Sequence, residues 1–258
     1  RRIYSRGVTY FGGRFYGGWW QGLPSRYRPH ITIDGYKTAE VDYSTMSLRL
    51  LYSKEGIKVP EKQDLYDIGL KGSKKYLTRA RELIKIYINA LLNDESRRYR
   101  LKPGELDELK LSHKELKDLV RKYHQSIVHL FGTGVGLELM YLDSMIADEL
   151  MLFFRMEGIV LLPIHDSFFI RAGYELSLKS EMMIIFKRLM DSYILVKSTG
   201  PKLREHFNKP PPPSNDPSEG IVRGVDTWDL VIKDTSNEYY SIYHNAWMKW
   251  RVQKNINS

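Results

Sequence analysis

The 258-residue chain contains no cysteine, which excludes disulfides, thiolate catalysis and zinc sites built on thiolates. It has no apolar run near the roughly 18 residues of a membrane span and no visible signal peptide, so no membrane partner is expected. No internal repeat is evident. The chain begins Arg1-Arg2 rather than with Met, which suggests a fragment or processed product with an upstream domain missing. A cysteine-free sequence suits a reducing compartment, and a cytoplasmic location is expected. Positive charge is plentiful: 40 Lys and Arg face 31 Asp and Glu, for a net charge of +9 and a pI of about 9.4. That balance suits a polyanionic partner. A hydrophobic fraction of 42% supports a real core. The 18 Tyr and 5 Trp, mixed with Arg and Lys, suit stacking on bases, although most belong to the core.

Along the chain, residues 1–36 are rich in Gly, Arg and aromatics, and the glycines are expected to break regular structure. Residues 36–44 read as a strand, and 45–54 as a short helix carrying Arg49. Ser73 is placed to cap a helix running to about Asn93. Residues 94–115 are charged and are expected to form a surface excursion, with helices following over 113–130 and 135–157. Gly158 ends the last of these. Residues 159–164 and 167–170 read as a β-hairpin with His165-Asp166 at its tip, and 176–195 as an amphipathic helix. The organisation expected is a core over 1–208, a stiff Pro-rich linker over 209–220, and a C-terminal accessory segment over 221–258.

Three segments carry chemistry. Asp42 sits at a strand end in Val41-Asp42-Tyr43-Ser44, and Asp166 at the hairpin tip in His165-Asp166-Ser167-Phe168. A lone Asp in such a place is most often a turn residue. Two brought together can hold a pair of hard cations roughly 3.5–4 Å apart, one lowering the pKa of an attacking hydroxyl and one neutralising a leaving phosphate. Mg²⁺ suits this role, with Mn²⁺ as its substitute. The third segment is the helix on which Arg81, Lys85, Asn89 and Asn93 recur every four residues, forming one polar stripe. Two cations followed by two amides suit a triphosphate and then a sugar; a solvated helix face is the commoner use of a basic stripe. The spaced glycines Gly132, Gly134 and Gly136 follow a helical pattern and are not a dinucleotide fingerprint. His124 and His129 read as ordinary helix residues. Asp143-Ser144 is open between contact with a primer strand and a plain helix surface.

In order and spacing, these segments resemble motifs A, B and C of family A DNA polymerases and the related phage-type single-subunit RNA polymerases. Asp42-Tyr43-Ser44 with Arg49 matches motif A. Arg81, Lys85 and Asn89 match the motif B series, and His165-Asp166 matches the motif C pair. Upstream, Gly13-Arg14 and Gln21-Gly22-Leu23-Pro24 look like the Gly-Arg and Gln-x-x-Pro elements that precede motif A. Phe131-Gly132-Thr133 sits where the DNA enzymes often carry Gln-Gly-Thr. The resemblance covers roughly residues 12–200, and the whole also looks like small polymerase-like proteins of phages and mobile elements.

The resemblance implies an α+β fold: a polymerase palm of small antiparallel sheet with helical fingers around residues 73–130, although the thumb expected before motif A and a proofreading exonuclease are not recognisable. It implies a nucleotidyltransferase, a DNA-directed DNA or RNA polymerase. Asp42 and Asp166 would bind two Mg²⁺, with the Tyr43 backbone carbonyl as a further ligand. Arg81 and Lys85 would grip the triphosphate, and Asn89 and Ser47 would line the sugar pocket. Arg14, Arg49 and His165 would contact the template–primer or brace the site. The partners implied are a DNA template, a primer or nascent strand, and nucleoside triphosphates. An upstream domain or partner protein would supply thumb functions, and a phage-encoded chain would work in the bacterial host cytoplasm. The chain departs from the DNA enzymes at Ser47 and Ser167, where they carry Glu, and at Asn89 and Asn93, where they carry aromatics. His-Asp-Ser-Phe is closer to the RNA enzymes. Sugar preference is therefore open, with ribonucleotide tolerance and primase-like synthesis expected. Two other readings stay open: a degenerate palm that only binds nucleic acid, and a metal-dependent nuclease.

Overall fold

In the computed structural model, which describes residues 1–96 and 99–199, the glycine-rich start is more regular than its composition suggests. Strands β1 (Arg2–Tyr4) and β2 (Gly12–Phe15) pair antiparallel. Gly13 has φ +83°, and a Cβ added there would lie 2.9 Å from Ser144 Oγ, so only glycine lets this hairpin lie so close to its neighbour. Two 3₁₀ turns follow, Trp19–Gly22 and Ser25–His30. Strands β3 (Thr32–Ile33) and β4 (Tyr36–Tyr43) are joined by Asp34-Gly35, both at positive φ, as a tight hairpin requires.

Helix α1 (Met46–Lys54) leads to α2 (Lys74–Asn93), whose first turn is capped by the Ser73 hydroxyl accepting the Tyr76 N–H at 3.3 Å. Helices α3 (Pro103–Leu109) and α4 (His113–Tyr123) come next, then the long α5 (Gly136–Met156). Gly158, at φ +71°, lets the chain leave α5. Strands β5 (Leu161–Ile164) and β6 (Ser167–Arg171) form the second hairpin, followed by α6 (Glu175–Met190) and β7 (Val196–Thr199).

Among the described residues the protein is thus α+β, with a five-stranded antiparallel sheet ordered β3-β4-β6-β5, β7 also paired to β4, and the separate two-stranded β1–β2 hairpin. Strand alternation divides its faces. Val41, Tyr43, Phe168 and Ile170 point into the main core with α5 and α6 residues such as Leu150, Phe154, Met182 and Phe186. On the opposite face, Leu162, Ile164 and Phe169 form a smaller cluster with Ile31 and Ile33, roofed by Trp20 and Leu23. Beyond that cluster the same face turns polar, with Glu40, Asp42 and Ser167.

Three expectations need correction. Residues 94–115 are not only a surface excursion: Leu101 and Leu109 are buried, and α3 packs against α2. The helix expected over 113–130 stops at Tyr123, and a 3₁₀ turn occupies Val128–Leu130. The helix expected to reach 195 ends at Met190, where Asp191 adopts φ +46°, and residues 196–199 become a strand because β4 offers them an open edge. The linker expected at 209–220 and the accessory segment at 221–258 lie outside the described residues. Among the described residues, no helix is long and apolar enough to cross a membrane.

Candidate active site

The β4–β6 register sets Asp42 directly opposite Ser167. Asp166 is the residue before Ser167, in a two-residue turn whose other member, His165, has φ +55°. Such tight turns match the twist of adjacent strands, so the hairpin delivers Asp166 to the sheet end that carries Asp42. The Tyr43 N–H donates to the Asp166 carbonyl at 3.3 Å. A strand residue sends its N–H and C=O to the same edge, so the Tyr43 carbonyl also leaves β4 on the hairpin side. Its phenol points the other way and donates to the Met182 carbonyl at 2.8 Å.

Burial, then the charge of Asp166, pushes the Asp42 carboxyl up to about 7; Lys85 opposes this, Glu40 adds to it, and Lys197 also opposes it. Among the described residues, neither Asp42 nor Asp166 accepts a side-chain hydrogen bond or an ion pair. Two partly buried carboxylates, near enough for the charge of Asp166 to act on Asp42 and without a direct side-chain partner, are costly alone and fit hard cations. No cluster of three or more His, Asp or Glu converges among the described residues. A cation held here would take its other ligands from backbone, water and substrate, as Mg²⁺ commonly does.

Glu40 and Ser167 complete this face. Glu40 lies two residues before Asp42 on β4, and its carboxylate accepts the Ser167 hydroxyl at 2.8 Å. Lys197 is directly opposite Asp42 on β7. Sequence reading missed both. Period-two alternation from Asp42 finds Glu40, whereas Lys197 depends on a strand that local pattern conceals.

Across from the acids, α2 presents its polar stripe. Lys85 is exposed and near enough to Asp42 to act on its charge. Arg81 is engaged rather than free: Asp64 takes both its Nε and, at 3.2 Å, its Nη2, while the guanidinium lies 5.4 Å from the Tyr66 ring centre. The hydrogen bonds from Arg81 and the Tyr66 N–H outweigh burial and hold the Asp64 carboxyl below its usual range. The Tyr66 hydroxyl donates to Asn89 Oδ1 at 3.3 Å. Burial, then the Asp166 charge, raises the Tyr66 pKa, which places this ring near both the acids and the stripe. Nothing periodic in the sequence ties residues 64–66 to α2, so these partners were not legible.

The remaining candidates divide. Arg49 is 2% exposed. Its Nη1 donates to the carbonyls of Val59 and Tyr193 at 3.3 and 3.2 Å, and its Nη2 to those of Pro60, Glu61 and Gln63 at 2.9, 2.6 and 2.8 Å. Of the two roles expected for Arg49, contact with the template–primer or bracing, its buried guanidinium fits bracing: it ties the loop after α1 to Tyr193. Arg14 donates Nε to Asp143 at 2.6 Å. Asp143 is buried and pushed up to about 6 by burial, with Arg14 lowering it and Asp166 raising it. Ser144 is buried too and accepts from Arg2 at 2.9 Å, so Asp143-Ser144 is no helix surface. His165 meets the Tyr16 ring edge-on at 6.1 Å. Its pKa is lowered by burial and Arg14, raised by Asp166, and lowered by Arg28. Ser47 lies on the first turn of α1, half-buried, and shares no hydrogen bond with Asn89 among the described residues.

No protein-family model matches the chain, and no curated protein matches it. Among solved structures, it is similar to the POL domain of Pol1 from M. smegmatis in complex with DNA primer-template and dNTP, with a TM-score of 0.43 and 13% identity. The match covers 69% of this chain and 43% of that one, so the chain spans less than half the length of the structure it resembles.

Proposed function

We propose that the protein is a template-directed nucleotidyltransferase, with the sheet as a polymerase palm and residues 73–130 as fingers. The reaction is attack of a 3′-hydroxyl on the α-phosphate of a nucleoside triphosphate, with release of pyrophosphate. The observation that carries this reading is the pairing of Asp42 and Asp166 at one sheet end, with Asp42 pushed up to about 7 and Lys85 close enough for its charge to act on Asp42. Asp42, Asp166 and the Tyr43 carbonyl would hold the metals. Two Mg²⁺ ions, when bound, would acidify the attacking hydroxyl and neutralise the leaving phosphate. Lys85 and Arg81 grip the triphosphate, and Asn89, steadied by Tyr66, faces the sugar with Ser47. Arg14 and His165 face the template–primer. A primer-extension gel with Mg²⁺ tests the reading. Growth of the primer is expected; cleavage of the strand without nucleotides would mark a nuclease, and binding without either a degenerate palm.

The Asp64–Arg81 pair bears on nucleotide affinity. Asp64 presents two oxygens to the guanidinium as a phosphate would, so a triphosphate must compete with it. Exposed ion pairs contribute up to about 1 kcal/mol, and Asp64→Asn is expected to tighten triphosphate binding up to about fivefold. Titration of a non-hydrolysable triphosphate reads this directly; weaker binding in the variant would make Asp64 a support for Arg81 instead.

For the sugar, Ser47→Glu is expected to shift use toward deoxynucleotides by roughly tenfold or more, since a carboxylate there would leave the 2′-hydroxyl without room or a good partner. Competition between NTPs and dNTPs measures this. Wild-type discrimination against NTPs of about 10⁴-fold would show the pocket already closed by another group.

A further inference from the structure

The first 39 residues hold seven Lys and Arg against one acid, Asp34. The same segment leaves large aromatic rings in water: Trp19 is 65% exposed and Tyr27 49%. These rings stand on a rigid base. Trp20 donates Nε1 to the Pro163 carbonyl at 3.0 Å, and Gln21 donates Nε2 to the same carbonyl at 3.0 Å and to that of Phe15 at 2.9 Å. Trp20 also roofs the smaller hydrophobic cluster. Trp19 meets Trp20 edge-on, with centroids 6.0 Å apart and planes at 85°, and so is held while most of its indole stays bare. The Arg26 guanidinium lies 4.8 Å from the Tyr27 ring centre. Arg28 is fixed by donating Nε to the Leu23 carbonyl at 3.2 Å, and its charge reaches His165 at the hairpin tip. Pro163, on which the base is anchored, is three residues before Asp166.

We infer that this N-terminal segment is a binding surface for single-stranded nucleic acid, with unpaired bases stacking on Trp19 and Tyr27 and phosphates lying beside Arg26 and Arg28. Positive charge alone attracts a duplex as readily as a single strand. Anchored, exposed rings beside arginines add attraction only for bases whose faces are free, and they do so without regard to sequence. A duplex hides those faces, and an acidic peptide has none. The surface runs toward the Asp42–Asp166 end of the sheet, where it would lead in an unpaired template strand; that last role rests on the polymerase reading, whereas strand binding does not.

Fluorescence anisotropy with a labelled short oligothymidylate and with a blunt duplex of the same length tests this on the full chain. Trp19→Ala and Tyr27→Ala are each expected to weaken oligothymidylate binding roughly tenfold and to leave duplex binding nearly unchanged. Trp19→Phe should retain most of the affinity, which controls for misfolding. Arg26→Gln with Arg28→Gln should flatten the salt dependence by roughly 0.7 in slope for each phosphate no longer neutralised. Unchanged oligothymidylate binding by Trp19→Ala overturns the inference, as does an equal loss on the duplex or equally good displacement of the oligonucleotide by polyglutamate. Trp19-dependent binding by the wild type without any primer extension would sink the active-site reading and leave this surface standing.

Discussion

Asp42→Asn is expected to abolish nucleotide incorporation and, at the same time, to make the folded protein more stable. Asn keeps the shape of the side chain but loses the charge that a cation needs. A loss of several kcal/mol of transition-state stabilisation corresponds to about 10³-fold or more in rate. The gain in stability follows from proton linkage. Asp42 is pushed up to about 7 by burial and Asp166, against about 3.9 for an unfolded Asp. The folded state therefore binds more protons than the unfolded state between these values, and the protein loses stability as pH rises through that window. Asn is spared that loss, so its advantage should grow from about pH 4 to about pH 7 and then level off. Because Asp42 is partly open to water, about 2 kcal/mol at pH 8 is a fair size. Urea denaturation at several pH values, without divalent metal, measures it alongside extension assays. Near-wild-type extension, or a variant no more stable than the wild type at pH 8, would refute the site.

Arg49→Ala is expected to be the most damaging single substitution for stability. Five backbone carbonyls, from residues 59, 60, 61, 63 and 193, converge on its two terminal nitrogens. Removing the guanidinium strands those acceptors and leaves a cavity beside α1, a change of the kind that costs about 3–5 kcal/mol. In a protein of this size that lowers the melting temperature by about 10 °C or more. Arg49→Lys keeps the charge but cannot span so many acceptors, and it should recover only part of the loss. Thermal melting of the two variants decides the matter. A stable Arg49→Ala that bound template–primer poorly would restore the nucleic-acid role that the buried guanidinium argues against.

Local pattern carried much of the architecture because the elements it reads are locally determined. The alternation around Val41 and Tyr43, the Ser73 cap, and Gly158 after α5 each state their structure within a few residues. The hairpin carrying Asp166 was equally legible, because two short apolar runs leave room only for a tight turn at His165-Asp166. What could not be read was where side chains end up once distant elements meet. Arg49 was expected near the site yet turns inward, because the loop after α1 and Tyr193 supply carbonyls that no periodicity announces. Arg81 meets Asp64, and Asn89 meets Tyr66, across chain separations that carry no pattern. Strand β7 was hidden because the apolar spacing of α6 continues past the left-handed residue at Asp191; only the free edge of β4 decides that residues 196–199 extend.

That last pairing also sets an order of assembly. Residues 40–43 of β4 must wait for residues 196–199, more than 150 positions later, before both edges of the strand are filled. Contacts of such separation form slowly, because a long loop must close before they return any stabilisation. During synthesis the local helices and the β5–β6 hairpin can form while β4 still shows an unpaired edge, the kind of surface on which chains associate wrongly. The residue opposite Asp42 on the arriving strand is Lys197. The last strand among the described residues thus brings a positive charge to the acidic end of the sheet, so that its pairing fills an edge of β4 and eases the carboxylate repulsion in one step.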